Sequence, residues 1–285
     1  MQLTGASSVL HRHPRLRLLL LLAAPMLVLV VVYLGALAVL LLSSFWSTDV
    51  FTGNTVKSFT LDNFRDVVNS STYRTVIVRT VLVAMAVTVI CALLAFPMAF
   101  YMAKVASPRA RRLLVVAVLT PLWASYLVKA YCWRVIFDPA AGVMKQTLGF
   151  SPGFGITAAI IVLAYLWLPY MALPIYAGLE KLPNSLLDAS GDLGARAGRT
   201  FWSVVLPMLK PSILAGAIFT FSLSLGDYIT VQIVGGKSQL VGNLVYANIG
   251  AANNLPFAAA VATIPVVIMV IYLIAVRRTG ALEEL

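Results

Sequence analysis

The sequence predicts an all-α, polytopic membrane protein: a helical bundle of about six transmembrane spans forming one domain over residues 1–285. Three observations carry that class. Apolar residues make up 61% of the chain and charged residues 11%, with a mean hydropathy of +0.94, a balance that leaves little polar surface for a water-soluble domain. Several apolar runs exceed the roughly 18 residues that reach across hydrocarbon. The formal charge of +11 is not gathered on one face, as nucleic-acid binding requires. It is dealt into short segments between the runs, which is the pattern of membrane topology and sets nucleic acid aside as a partner.

The elements follow in order. A basic head (His11, Arg12, His13, Arg15, Arg17) precedes an apolar run over residues 18–42. That run is longer than the roughly 7–15 residues of a signal-peptide core and shows no clear small-x-small cleavage site, so it is expected to be a retained first span. A polar segment reaches to about Tyr73, and the second span covers 75–103, with Pro97 near its far end. Lys104, Arg109, Arg111 and Arg112 crowd the next loop. A third span covers 113–137 and a fourth 156–179, followed by a polar stretch over 180–211 and further spans over 212–234 and 257–276. With the head inside, the inner segments hold thirteen Lys and Arg and the outer loops five, which places both termini and the 180–211 stretch in the cytoplasm. Cys91 and Cys132 fall inside apolar runs and read as buried thiols, not a disulfide.

Residues 180–211 are the most informative stretch. Ser185 with Asp188 three residues later reads as a capping pair opening a short helix, and Gly194 is placed to end it in a left-handed turn. A second helical piece is expected from Arg199 to Leu206, halted by Pro207 and Pro211. The spacing Asp188-Ala189-Ser190, then Gly194, then Leu206-Pro207 resembles the EAA loop of ABC-importer permeases, with Asp for the usual Glu and Ser for the second Ala. That resemblance implies a type I ABC-importer permease fold. It also implies that Ser185, Asp188, Ala189, Gly194, Leu206 and Pro207 couple the chain to an ATPase subunit.

Chemistry of other kinds finds no foothold. Gly235-Gly236-Lys237-Ser238 invites a phosphate-loop reading, but Val231 stands where that loop needs a glycine. No His-Glu-x-x-His, Gly-x-Ser-x-Gly or Cys-x-x-Cys occurs, and both histidines lie in the head, so neither a metal site nor an enzyme is expected. Two charges fall deep inside predicted spans. Lys129 is about sixteen residues into the third, about 24 Å along it, and Asp227 lies at comparable depth in the fifth. Each costs about 2.5–3.5 kcal/mol facing lipid, so both are expected to face protein or a polar path, either as an ion pair or as a substrate lining. Arg79 and Arg134 are expected to reach toward headgroups.

Residues 123–131, with Trp123, Tyr126 and Lys129, and residues 225–230, with Asp227 and Tyr228, resemble the spermidine/putrescine branch of these permeases. The resemblance implies a bacterial inner-membrane subunit whose substrate arrives on an extracytoplasmic solute-binding protein. Its partners would be a second permease, membrane lipid and two ATP-binding cassette subunits that hold the ATP, with no cofactor on this chain. An acid among aromatic rings suits a polyamine. Other solutes, organophosphonates among them, are handled by related permeases, and a self-contained secondary transporter or channel is the alternative of another class.

Overall fold

The computed structural model describes residues 21–277 except positions 24 and 50. The basic head, the first three residues of the predicted first span, and Arg278 lie outside the described residues. Twelve helices and one two-stranded ribbon are present among the described residues. Helix α1 (Leu21–Ser43) leads into ribbon strands β1 (Ser47–Thr48) and β2 (Thr55–Val56), then α2 (Asp62–Asn69) and the long α3 (Ser71–Val105). Next come α4 (Pro108–Trp123), α5 (Tyr126–Ile136), α6 (Val143–Leu148) and α7 (Ile156–Lys181). The chain closes with α8 (Asn184–Asp192), α9 (Ala197–Leu225), α10 (Ile229–Val234), α11 (Val241–Gly250) and α12 (Leu255–Arg277).

The core is the packing of α3, α7 and α9. Along α3 the buried residues recur every fourth position: Val83, Val87, Cys91, Ala95, Ala99 and Ala103. That single ridge of small side chains lets α7 approach closely, the usual basis of helix association where lipid supplies no hydrophobic drive. Cys91 sits in it fully buried, its thiol 3.4 Å from the Ala164 carbonyl, whereas Cys132 is exposed on this chain, contrary to the expectation that both thiols are buried. Helix α1 stands apart: its membrane-length window buries nothing against the rest of the chain. Its Gly35–Ser43 half lies along α12, and just past its C-terminal end Asn63 donates to the carbonyls of Ser44 and Trp46 and Thr48 bonds Asn254. In the ribbon turn, the backbone N–H groups of Thr52 and Phe51 hold the exposed Asp49 carboxyl below the usual carboxylate range.

Two predicted spans prove to be broken, and one boundary moves. The third is not a straight helix over 113–137: α4 and α5 meet at Ala124–Ser125 with a bend of 95°. The fifth does not begin at residue 212. It begins at Ala197, passes through a wide turn over Phe201–Val205, and runs on past Pro207 and Pro211 to Leu225. Both prolines are carried inside the helix because the wide turn readjusts the backbone ladder before Pro207, and Leu209 is fully buried in the core beyond it. The helix then stops at Gly226, short of the predicted residue 234, and resumes as the separate α10.

Candidate functional site

The loop over residues 180–211 is built between two fixed ends. Lys104, at the end of α3, donates to the Leu182 carbonyl at 2.5 Å and to the Asn184 side chain at 3.0 Å. Arg111 of α4 holds the Met102 and Ala103 carbonyls and lies 3.7 Å from Glu180. From that anchor α8 starts at Asn184 with Pro183 before it, and no side chain caps it. Ser185 and Asp188 therefore do not form the expected capping pair: Ser185 already lies inside the first turn. Gly194 adopts φ +78°, and the turn is closed by bonds from Gly194 N to Gly191 O and from Ala195 N to Ser190 O. The Ser190 and Thr200 hydroxyls meet at 2.8 Å and lock α8 to the start of α9. Leu187 packs inward, while Leu186, Asp188, Ala189 and Gly194 face out and Leu193 is 89% exposed. Leu206 and Pro207 lie within α9, apart from that face.

The second assembly lies where the two broken spans meet. Asp227 is 7% exposed in the gap between α9 and α10. Its Oδ1 accepts the Thr230 N–H at 3.0 Å, and its Oδ2 accepts the Tyr126 hydroxyl and the Thr230 hydroxyl. Tyr126 opens α5, so a single carboxylate ties the two breaks together across 101 residues of sequence. Trp167 of α7 stacks on Tyr126 at 5.9 Å, and its buried Nε1 has no acceptor among the described residues.

Of the two readings of the span charges, the ion pair of Lys129 with Asp227 is not present among the described residues. Among the described residues the ion pairs are Arg65–Asp62 and Arg111–Glu180. Lys129 instead donates to the Pro121 carbonyl at 2.9 Å, in the last turn of α4. Arg134, expected to reach outward, donates to the Ile233 carbonyl in the last turn of α10 and lies over the Phe154 ring. A common physical rule connects the three. A broken helix leaves unpaired N–H groups at one end and unpaired carbonyls at the other, with matching partial charges. The anion sits at a helix start and each cation at a helix end, so the breaks themselves satisfy the charges.

Of the remaining candidates, Trp123 is 83% exposed and stands outside this cluster. Tyr228 turns away from Tyr126 and stacks on Tyr246 at 5.2 Å, beside a cavity of about 330 Å³ lined by α11 and α12. Thr230, Trp167 and Arg134 are partners that the sequence reading did not select. Thr230, three residues after an acid, carries a local signal as a helix-start pair; Trp167 carries none.

With this geometry in view, comparison with known proteins is decisive. The family described as binding-protein-dependent transport system inner membrane component matches residues 95–279. The chain belongs to that family. It is a multi-pass membrane permease subunit of an ABC importer, a transport component and not an enzyme. The inner membrane ABC transporter permease protein YdcU of Escherichia coli (strain K12) is 43% identical over 98% of this chain and 95% of its own length. The spermidine/putrescine transport system permease protein PotB of Haemophilus influenzae is 33% identical over 78% of this chain and 80% of its own. Among solved structures, a bacterial alginate ABC transporter in complex with an alginate-bound periplasmic protein matches with a TM-score of 0.68 at 14% identity, covering 95% of this chain and 96% of that one. The MetNI methionine ABC transporter matches with a TM-score of 0.55 at 20% identity, over 74% and 97%. At those identities the likeness is one of fold, and it is the type I importer fold expected from the sequence.

Proposed function

We propose that this permease moves a polyamine of the spermidine/putrescine class across the bacterial inner membrane. In this reading an extracytoplasmic binding protein delivers the solute. A second permease completes the path, and two ATP-binding subunits, which hold the ATP, seat on the exposed face of α8 with Gly194 at its turn. The single observation that carries the substrate reading is Asp227, a buried carboxylate among Tyr126, Thr230 and the stacked ring of Trp167. Its Oδ2 is held by hydroxyls, and an ammonium group is a stronger donor to the same oxygen. A polyamine nitrogen that displaces Tyr126 there also removes one of the side-chain ties between α5 and the start of α10, leaving Arg134 on the Ile233 carbonyl, which would link binding to movement of the two breaks. The relatives named for spermidine and putrescine support the same class.

The test is uptake of labelled putrescine and spermidine by the assembled importer in cells lacking other polyamine uptake, with methylphosphonate in parallel. Saturable polyamine uptake that requires the ATPase subunit is expected. Uptake of the phosphonate alone would replace the substrate class, and transport without the ATPase would favour a secondary transporter. Orientation is checked separately. Once Cys91 and Cys132 are replaced, a cysteine at exposed Asn54 is expected to react with an impermeant thiol reagent in intact cells. One at exposed Arg109 is expected to react only after the membrane is opened. The reverse pattern would put α8 on the wrong side for ATP.

A further inference from the structure

The phrase Gly235-Gly236-Lys237-Ser238, which fails as a phosphate loop in sequence, occupies a definite place in the fold. Gly236 adopts φ +59°, and a Cβ there would stand 2.9 Å from the Phe154 carbonyl. Only glycine fits that turn without strain, and the turn pins the segment between α10 and α11 against the start of α7. Directly after it, the Val241 N–H donates to the buried Thr80 hydroxyl of α3 at 2.9 Å. The segment is thereby fastened on both sides, and Lys237 and Gln239 are held beside the outer end of α3.

They face a cavity of about 360 Å³ whose other wall is one stripe of that helix: Ser71, Thr72, Thr75, Val76 and Arg79. Six of the seven lining residues are polar, two of them cations, and none is an acid. Among the described residues neither Arg79 nor Lys237 has an ion-pair partner, a hydrogen-bond acceptor or an aromatic ring. The other span charges behave differently: Lys129 and Arg134 each found a backbone carbonyl. No side chain caps the start of α3, so its first N–H groups also point to this end unclaimed.

From this we infer that Arg79, Lys237 and the hydroxyls of Ser71 and Thr72 form a binding site for a phosphate group at the outer end of the bundle; the Thr75 hydroxyl, which donates to the Ser71 carbonyl, only lines it. The chemistry matches the donor set. A guanidinium offers a planar fork to two phosphate oxygens, an ammonium offers a point charge, and hydroxyls offer further donors. Binding one anion also relieves the repulsion between two cations that share a cavity. Two sources present that chemistry on this side of the membrane: the headgroup of an outer-leaflet phospholipid and a water-soluble phosphate. The site is separate from the Asp227 cluster and does not depend on the polyamine reading.

The experiment uses the assembled importer purified in neutral detergent and stripped of loosely held lipid. One arm adds phosphatidylglycerol and counts bound lipid by native mass spectrometry; the other titrates inorganic phosphate by calorimetry. The variant is Arg79→Gln with Lys237→Gln, and both side chains lie outside the buried core. Loss of binding by at least about fivefold in this variant is the expected result. Its appearance in the lipid arm identifies a headgroup site, and in the phosphate arm alone a soluble one. Arg79→Lys, which keeps the charge, is expected to retain most of the binding. Should the double variant fail to assemble, Lys237→Gln on its exposed turn gives the same reading with a smaller loss. Absence of binding in both arms, or equal binding by wild type and variants, would overturn the site.

Discussion

Gly194→Val is expected to leave the permease in the membrane at wild-type abundance while it copurifies far less ATPase subunit and loses most uptake. The reason is local. Gly194 sits at φ +78°, a conformation that a β-branched residue adopts only with strain of about 1–3 kcal/mol. A Cβ at this position meets nothing within 4 Å in the chain, so there is no internal clash and the core is not disturbed. The strain falls on the turn between α8 and α9 and tilts the exposed face that carries Leu186, Asp188 and Leu193. Spread over a docking equilibrium, about 1–3 kcal/mol is roughly a 5- to 150-fold loss. The measurement is a pull-down of the ATPase together with uptake, each normalised to permease in the membrane. Asp188→Glu, which restores the usual acid of the loop, is expected to be nearly silent. Wild-type copurification in Gly194→Val would remove the basis for assigning coupling to this turn.

Asp227→Leu is expected to have the larger effect on the permease itself. It strands the Thr230 N–H and leaves the Tyr126 and Thr230 hydroxyls, which also meet each other, with one O–H lacking an acceptor. A buried donor left without an acceptor costs about 1–3 kcal/mol, so two of them take a large share of a marginal stability. Membrane abundance and uptake are both expected to fall to near background. Asp227→Asn keeps an acceptor for Thr230 and the shape of the site. It is therefore expected at near-normal abundance but with uptake of a cationic solute cut at least about tenfold, the loss that follows from about 1.4 kcal/mol of charge pairing. Adding Lys129→Met to Asp227→Leu is not expected to rescue it, because Lys129 answers to the Pro121 carbonyl and not to the carboxylate. Recovery of abundance in that double variant would restore the ion pair in place of the arrangement seen here.

The sequence by itself determined the membrane class, the approximate number of spans, the polar stretch between two of them and the residue that turns it. Each of these is a local property. Hydropathy over about 20 residues decides whether a segment crosses hydrocarbon, and Gly194 marks a left-handed turn with no help from distant residues. The tertiary structure alone decided where the spans break and what satisfies their charges. Ala124 and Ser125 are not helix breakers in themselves; the elbow is held by Lys129 reaching back eight residues to Pro121. Conversely, Pro207 and Pro211 look like stops and are not, because a wide turn before them and burial of Leu209 carry the helix through. Asp227 suggested a cationic partner on sequence grounds, since opposite charges are the partners that a linear text displays. Its actual partners are a tyrosine 101 residues away and the start of a six-residue helix. Backbone carbonyls and N–H groups are present at every residue, so no sequence shows which of them a break will leave free; only the packing of one broken helix against another does.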